Sequence, residues 1–174
     1  MVVDRWSYCH YCGGPLADFA DGEHLQQICT ACQRVIYRNP VPAAGGVVER
    51  DGQLLLARRK HAPWQDHWYF PSGFVEYDED VEVTATREVR EETGLDVAIA
   101  GVFGVYSYFD DPRKNGIIIL FRATIVGGTL KAGDDAAEVA FFPADLLPSP
   151  IGFASHRRAL AEWVERRGAE TRRR

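Results

Sequence analysis

Three glutamates near the end of residues 73–95 have a spacing that suits cation binding. On a helical wheel with about 100° per residue, Glu88, Glu91 and Glu92 fall at roughly 0°, −60° and +40°, so their carboxylates share one face. Gly94 predicts the end of the helix, where the macrodipole already favours cations over acids. Such like charges repel unless a multivalent cation lies among their oxygens, and hard oxygen ligands suit Mg²⁺ or Mn²⁺. The pattern therefore predicts a magnesium or manganese site.

Two further residues of this segment are expected to shape the site. Arg87 lies four residues before Glu91, a spacing that lets its guanidinium pair with the carboxylate and orient it. Gly73 allows a tight backbone bend before the helix, and its carbonyl is available to join the metal shell. The helix is rich in valine and threonine, which are mediocre helix formers, so packing and bound metal must stabilise it.

The four cysteines form two matched pairs, Cys9-x-x-Cys12 and Cys29-x-x-Cys32. Each pair lets two thiolates face the same point, and two pairs complete a tetrahedral four-sulfur zinc site. The alternatives are two disulfides or four unrelated thiols. The first ten residues lack the layout of a signal peptide, so we expect a reducing cytoplasmic location, which argues against disulfides. A closed four-cysteine site leaves no open position for chemistry, and the zinc is therefore expected to be structural.

Beyond Pro40 and Pro42 the pattern changes to alternating strands and helices. The pair Asp51-Gly52 predicts a tight hairpin turn, and a final amphipathic helix is expected at 155–167 with Leu160, Trp163 and Val164 on one side. β-Branched and aromatic residues predict strands at 44–49, 54–59, 97–109, 117–126 and 138–142. The expected class is α/β or α+β, a layered sandwich with a mixed or antiparallel sheet.

The spacing of the glycines, the arginine and the glutamates in residues 73–95 matches a known signature. Gly73, then Glu79 after five residues, then the run REVREETGL after seven more, agrees with all nine fixed positions of the Nudix box. The chain therefore resembles the Nudix hydrolases, which use water and divalent cations to cleave the pyrophosphate of nucleoside diphosphates linked to another group, on an α/β/α sandwich. The resemblance implies a role for six residues: metal ligation by Glu88, Glu91 and Glu92, orientation by Arg87, support by the acid Glu79, and a loop glycine at Gly73.

The proposed chemistry also needs a general base to activate the attacking water. In the Nudix family this base is a glutamate of the box or an acid on a later loop. Three candidates follow and stay open at this point: Glu88, Asp135 and Glu138.

The domain order narrows the substrate. A zinc ribbon at residues 1–38, ahead of a Nudix domain at 39–174 with a C-terminal helix and basic tail, resembles the NADH pyrophosphatases and also a group that includes the plant chloroplast FAD pyrophosphatase. The SQPWPFP element of the first group is missing from the region GVYSYFDDPRKNGIIILF, so FAD or ADP-ribose, cleaved to release AMP, is expected, with NADH or NAD as the alternative. The candidate substrate-binding residues are Arg58, Tyr106, Tyr108, Pro112 and Arg113, of which Pro112 resembles a proline of ADP-ribose pyrophosphatases.

Charge and composition bound the partners. The net charge is −5, and the stretch between the cysteine pairs holds acids but no lysine or arginine, which argues against nucleic acid as a partner. No apolar run is long enough to span a bilayer. The resemblance implies a small nucleotide substrate and a homodimer. One alternative of another class stays open: a regulator whose ribbon binds a partner or nucleic acid and whose Nudix fold senses a nucleotide.

Overall fold

The computed structural model describes residues 5–112, 114–133 and 135–171. The chain divides into two compact units, Met1–Asn39 and Pro40–Arg174. Each unit has its own sheet and its own buried residues.

The N-terminal unit is a three-stranded antiparallel sheet in the order β1-β2-β3. Its strands are β1 (Leu16–Asp21), β2 (His24–Cys29) and β3 (Val35–Ile36). The buried apolar cluster consists of Cys9, Cys29 and Ile36, with Leu16 packed against it. So small a core cannot stabilise an independent unit without a cross-link or a metal.

The second unit contains a seven-stranded mixed sheet and two helices. Five strands follow the order β10-β5-β4-β9-β8, while β6 pairs with β5 and β7 pairs with β4. The β4–β9 pair is parallel and the others are antiparallel, which confirms the predicted mixed sheet. The elements are β4 (Val41–Arg50), β5 (Gln53–Arg59), β6 (Trp68–Tyr69), β7 (Ser72–Phe74), α1 (Val81–Thr93), β8 (Leu95–Tyr108), β9 (Gly116–Gly128), β10 (Ala136–Pro143) and α2 (Ala154–Thr171).

The two helices cover opposite faces of this sheet. Val48 and Leu55 pack with Val89 of α1, whereas Val47 and Leu54 pack with residues of α2. Neighbouring residues of a strand point to opposite faces, so clusters that take alternate residues of β4 and β5 must lie on the two sides of the sheet. This arrangement confirms the expected α/β/α sandwich.

The hairpin between β4 and β5 follows from its turn residues. Asp51 and Gly52 have φ of 52° and 78°, the two positive values that a type I′ turn requires. Arg50 pairs with Gln53 and Glu49 with Leu54 across the turn. The predicted hairpin is confirmed, and both strands are longer than their sequence pattern indicated.

The expected elements agree with the structure except at a few positions. Gly73, expected in a loop, lies in the short strand β7 and pairs with Ala44 of β4. On α2, Leu160 and Trp163 are buried as predicted, but Val164 is 37% exposed and does not belong to the buried side. Among the described residues, neither helix has the length and hydropathy needed to cross a membrane.

Candidate active site

Helix α1 carries the box glutamates at its C-terminal end. It begins after Asp80, whose carboxylate accepts the Glu82 amide at 3.0 Å, and it ends at Gly94, which has the left-handed φ of 71° typical of a helix C-cap. The buried row of this helix runs through Ala85 and Val89. Glu92 follows Val89 by three residues and so falls on the same row, where it is only 6% exposed.

The three carboxylates therefore differ in exposure. Glu92 is buried, the side chain of Glu88 is 14% exposed, and that of Glu91 is 58% exposed. The acids extend from the packed side of the helix to its solvent side. Their shared face on the helical wheel is real, but it spans the boundary between core and water.

Arg87 connects the box acids through one guanidinium group. Its Nε and Nη2 donate to both oxygens of Glu79 at 2.8 Å, the bidentate geometry that arginine forms best with a carboxylate. Its Nη1 donates to Glu88 at 2.7 Å and to Glu91 at 3.0 Å. The predicted pairing with Glu91 is present, but the partner that is bound bidentately and is most buried is Glu79. Hydrogen bonding to Arg87, and then to the Thr84 hydroxyl, lowers the pKa of Glu79 to about 2.

Glu92 is held by two hydrogen bonds. The Tyr69 hydroxyl donates to Oε1 at 2.6 Å and the Ser72 amide donates to Oε2 at 2.9 Å. Burial raises the pKa of Glu92 to about 8 despite these donors, and the charge of Glu88 adds to the shift. Burial also raises the pKa of Glu88. Carboxylates whose ionisation is disfavoured by burial and by neighbouring acids are a favourable place for a cation.

Gly73 lies directly against the carboxylate of Glu88. A Cβ at position 73 would stand 2.2 Å from Oε1, 2.3 Å from Cδ and 2.5 Å from Oε2 of that glutamate. Gly73 does not have a positive φ. The position thus requires glycine because of space for the Glu88 carboxylate, and the expected backbone bend is not the reason.

A pocket of about 270 Å³ opens beside these acids. Arg59 is the one lysine or arginine among its described lining residues. The lining side chains are Ala43, Arg59, Tyr69, Ser72, Gly73, Phe74, Glu76, Glu88, Glu92, Tyr108, Asp111, Ile118, Asp135, Phe153, Ser155 and His156. Carboxylates, one guanidinium and several aromatic rings therefore meet in one concave site of the kind that binds small ligands.

The acids at the pocket suit a hard divalent cation. Glu88 and Glu92 both face the pocket, and carboxylate oxygens are the ligands that Mg²⁺ and Mn²⁺ prefer. Among the described residues, one group of histidine, cysteine or acidic side chains has all its ligand atoms within 4.8 Å of one another, and this group is the four cysteines. The carboxylates of the three box glutamates are therefore not as close together. Arg87 holds Glu91 on the solvent side of the helix.

The four cysteines lie close enough together to hold a metal ion. Their sulfur atoms all lie within 4.8 Å of one another, with Cys9 and Cys32 at 3.8 Å and Cys12 and Cys29 at 3.5 Å. Zn–S bonds of about 2.3 Å in a tetrahedron place sulfurs about 3.8 Å apart, so the set fits one ion. Gly14 completes the cradle, because a Cβ there would lie 2.7 Å from Ala31 Cβ and 3.2 Å from Cys29 Sγ.

Comparison with known proteins decides the family. The family model of the NUDIX domain matches residues 39–164. This chain belongs to the Nudix family. The match includes both helices' packed residues, the box and every lining residue of the pocket.

Its relatives span several Nudix activities. An ADP-ribose pyrophosphatase of Methanocaldococcus jannaschii is 45% identical over 114 residues, which cover 65% of this chain and 68% of that protein. An NAD-capped RNA hydrolase NudC of Chromobacterium violaceum is 34% identical and covers 84% of this chain but 55% of its own length. The crystal structure of a Nudix hydrolase from Nitrosomonas europaea has a TM-score of 0.83 and 29% identity, with 94% of this chain and 93% of that chain covered.

Some predicted substrate and base residues lie at the pocket of this Nudix domain and others do not. Asp135 and Tyr108 line it. Arg58 and Glu138 are not among its lining residues, and they pair with each other at 3.1 Å across the neighbouring strands β5 and β10. Tyr106 is only 5% exposed and lies in the core, where its hydroxyl donates to Glu162 of α2 at 2.5 Å.

The remaining two candidates come from the loop after β8. Pro112 is exposed and is not among the residues that line the pocket. Arg113 lies outside the described residues. The described neighbour that does reach the pocket is Asp111, which is 6% exposed.

Sequence reasoning missed several polar residues of the Nudix pocket, among them Arg59 and His156. Arg59 follows the predicted Arg58 by one position, and its guanidinium lies 5.3 Å from the ring centres of Tyr69 and Phe153. His156 comes from the start of α2, where a histidine next to a serine gives no signal of its own. Period-two alternation could have separated Arg58 from Arg59, but β5 is buried on both faces from Leu54 to Ala57 and hides that alternation.

Proposed function

We propose that this chain is a divalent-cation-dependent hydrolase that splits the diphosphate of ADP-ribose into AMP and ribose 5-phosphate. The observation that supports it most is the arrangement of Glu88 and Glu92 on the wall of a pocket, with Arg87 fixing the acids behind them. The choice of ADP-ribose follows the relative that is 45% identical and carries that activity in its name. FAD, expected from the sequence, is the second substrate to test.

Glu88 and Glu92 would hold the cations, with Gly73 contributing its carbonyl and Glu91 joining by rotation of its exposed side chain. Bound cations supply positive charge to the phosphate oxygens and make a nearby water more acidic. The chain's own part is to fix the acids through Arg87 and to exclude rotation of Glu92 through Tyr69 and the Ser72 amide.

The general base would come from the pocket wall. Of the three candidates, Glu88 and Asp135 line the pocket, whereas Glu138 is bound to Arg58 outside it. Glu88 would act as a metal ligand, so Asp135 is the acid that remains to accept a proton from water. We expect Asp135→Asn to lower kcat by a factor of about 10² to 10⁴, with Glu138→Gln as the matched control that stays near wild type.

The first experiment is hydrolysis of ADP-ribose, FAD, NAD and NADH with Mg²⁺ or Mn²⁺, with the products separated by chromatography. AMP released faster from ADP-ribose than from the others, and lost in Glu92→Gln, supports the proposal. NADH or NAD cleaved fastest would favour the alternative of an NADH or NAD pyrophosphatase, which the match of the NudC relative to 84% of this chain supports. No turnover of any substrate by folded protein would contradict the enzyme and favour the nucleotide-sensing regulator.

We propose that the four cysteines bind one structural zinc ion. The sulfur spacing and the small core of the N-terminal unit support this. Elemental analysis should give one zinc per chain, and Cys12→Ser should lower that content and expose residues 5–39 to protease. The homodimer and the cytoplasmic location expected from the sequence stay predictions.

A further inference from the structure

His156 stands at the pocket with one ring nitrogen uncommitted. It is 4% exposed, and its Nδ1 accepts the Phe70 amide at 3.0 Å. Because a backbone N–H can only donate, Nδ1 is the unprotonated nitrogen and the ring proton lies on Nε2. Burial and the nearby guanidinium groups of Arg59 and Arg157 lower the pKa of His156 to about 3, so the ring is neutral. The pocket therefore meets a neutral N–H donor.

Ser155 supplies a second donor beside it. Ser155 is 1% exposed and lines the pocket, and no hydrogen bond of its hydroxyl is found in residues 5–112, 114–133 and 135–171. In that same part of the chain, three side-chain nitrogen or oxygen atoms are inaccessible to solvent and have no hydrogen-bond partner: Trp64 Nε1, Asp110 Oδ1 and Trp163 Nε1. Neither Ser155 Oγ nor His156 Nε2 is among them, so both atoms reach the open volume of the pocket.

The surroundings of these two donors favour an anion. They lie in the first turn of α2, an 18-residue helix whose N-terminus carries partial positive charge. Asp110 Oδ2 accepts the Ala154 amide of that turn at 2.7 Å and Arg157 Nη2 at 3.2 Å, and it accepts no hydrogen bond from Ser155 or His156. Arg59 lines the same side of the site and binds Pro63 O through Nε, which leaves its two terminal nitrogens without a hydrogen bond to the described residues.

We propose that His156 Nε2–H, the Ser155 hydroxyl and Arg59 form an oxyanion subsite for a phosphate group of the nucleotide. This inference rests on the proposed function and extends it. The acids Glu88 and Glu92, which would hold the cations, line the same pocket as these three donors. A diphosphate bound there would meet the cations as well as two neutral donors and one guanidinium. His156 thus selects substrates by binding a phosphate oxygen and takes no proton.

His156→Asn separates this role from a structural one. The asparagine Oδ1 can take the place of Nδ1 and accept the Phe70 amide, but the side chain is too short to donate at the position of Nε2. Loss of a hydrogen bond to a charged oxygen should weaken binding by about tenfold to a hundredfold. We therefore expect KM for ADP-ribose to rise by that factor, with kcat changed less than about threefold. The matched control is His67→Asn, since His67 does not line the pocket and bonds Gln65 O through Nδ1.

A binding measurement keeps the test independent of turnover. The probe is α,β-methylene-ADP with Mg²⁺, measured by calorimetry and by the ¹⁵N resonance of His156 Nε2. We expect Kd to rise in His156→Asn and in Ser155→Ala, and the Nε2 resonance to shift when the probe binds to the wild type.

The outcomes separate the two ideas. If the wild type binds the probe and shifts Nε2 but hydrolyses none of the substrates, the subsite stands and the proposed function fails. If hydrolysis proceeds but folded His156→Asn binds the probe as tightly as the wild type, the subsite is wrong. Should His156→Asn fail to fold, an unmoved Nε2 resonance in the wild type, together with unchanged binding by Ser155→Ala, overturns it equally.

Discussion

Gly73→Ala should strongly lower the activity of the enzyme while leaving the fold intact. The added Cβ would lie 2.2 to 2.5 Å from the carboxylate atoms of Glu88, where ordinary contact begins near 3.4 Å. The carboxylate must therefore withdraw by about 1 Å, and a misplacement of that size costs about a hundredfold in rate. The Glu88 side chain is flexible, so the cost to folding is about that of an unfavourable rotamer, roughly 0.5–1.5 kcal/mol.

The assay is kcat/KM for ADP-ribose at saturating Mg²⁺, measured beside thermal unfolding. We expect kcat/KM to fall about a hundredfold, while Tm falls by only a few degrees, as about 1 kcal/mol implies for a chain of this size. The matched control is Gly127→Ala. A Cβ at that position meets Asp96 no closer than 3.4 Å, and Gly127 does not have a positive φ. It should keep both activity and Tm.

A double-mutant cycle tests whether the effect passes through Glu88. In a Glu88→Gln background, adding Gly73→Ala should cost less than about twofold, because the group that it displaces has already lost its charge. Wild-type activity of folded Gly73→Ala would refute the reasoning. So would a full hundredfold loss on top of Glu88→Gln, since the glycine would then act on something other than that carboxylate.

Two further predictions test residues that the structure reassigns. Arg59→Ala should lower kcat/KM for ADP-ribose about tenfold to a hundredfold, whereas Arg58→Ala, which breaks only exposed ion pairs, should change it less than about twofold; equal losses in the two variants would contradict the assignment. Tyr106→Phe should keep activity but lower Tm at pH 7, because the Tyr106 hydroxyl and then Arg166 lower the pKa of Glu162. A carboxyl group with a lowered pKa stabilises the fold at pH above its ordinary pKa, which is 4.5 for Glu162. The Tm difference between Tyr106→Phe and the wild type should therefore shrink as the pH falls below 4.5. A difference that grows in acid would count against the hydrogen bond between Tyr106 and Glu162.

The sequence predicted the features that depend on local spacing. The hairpin at Asp51-Gly52, the end of α1 at Gly94 and the convergence of Glu88 and Glu92 all follow from residues close together in the chain. Each rests on a fixed stereochemical rule, a turn with positive φ or a helical repeat, so no tertiary information was needed.

The remaining features depend on packing between distant segments. Tyr106 and Tyr108 lie on the same side of β8, yet only Tyr108 reaches the pocket, because α2 covers Tyr106 and bonds it to Glu162. His156 lines the pocket from α2, which is more than 60 residues after the box helix in the sequence. The sequence predicted Glu92 as a metal ligand but not its burial against Tyr69, since the rotation of the helix about its axis is set by the core. Neither the periodicity nor the composition of the sequence predicts which of these side chains are buried or reach the pocket.

The acids at the negative end of α1 are tolerated because another segment compensates that end. The amides of Thr129, Lys131 and Gly133 donate to the carbonyls of Gly94, Thr93 and Glu92 at 2.9 to 3.0 Å. These bonds satisfy carbonyls that a helix end normally leaves free, which reduces the partial negative charge that would oppose the carboxylates.

The same contact explains why a loop acid and the box acids share one pocket. Only glycine fits at position 133, because a Cβ there would lie 1.7 Å from the Glu91 carbonyl oxygen. Asp135 follows two residues later, and its carbonyl accepts the Lys60 amide at 3.1 Å. The chain around Asp135 is thus fixed on one side to the end of α1 and on the other to the end of β5. If Asp135 is the proposed proton acceptor, its loop thereby obtains the positional precision of the helix that carries Glu88 and Glu92.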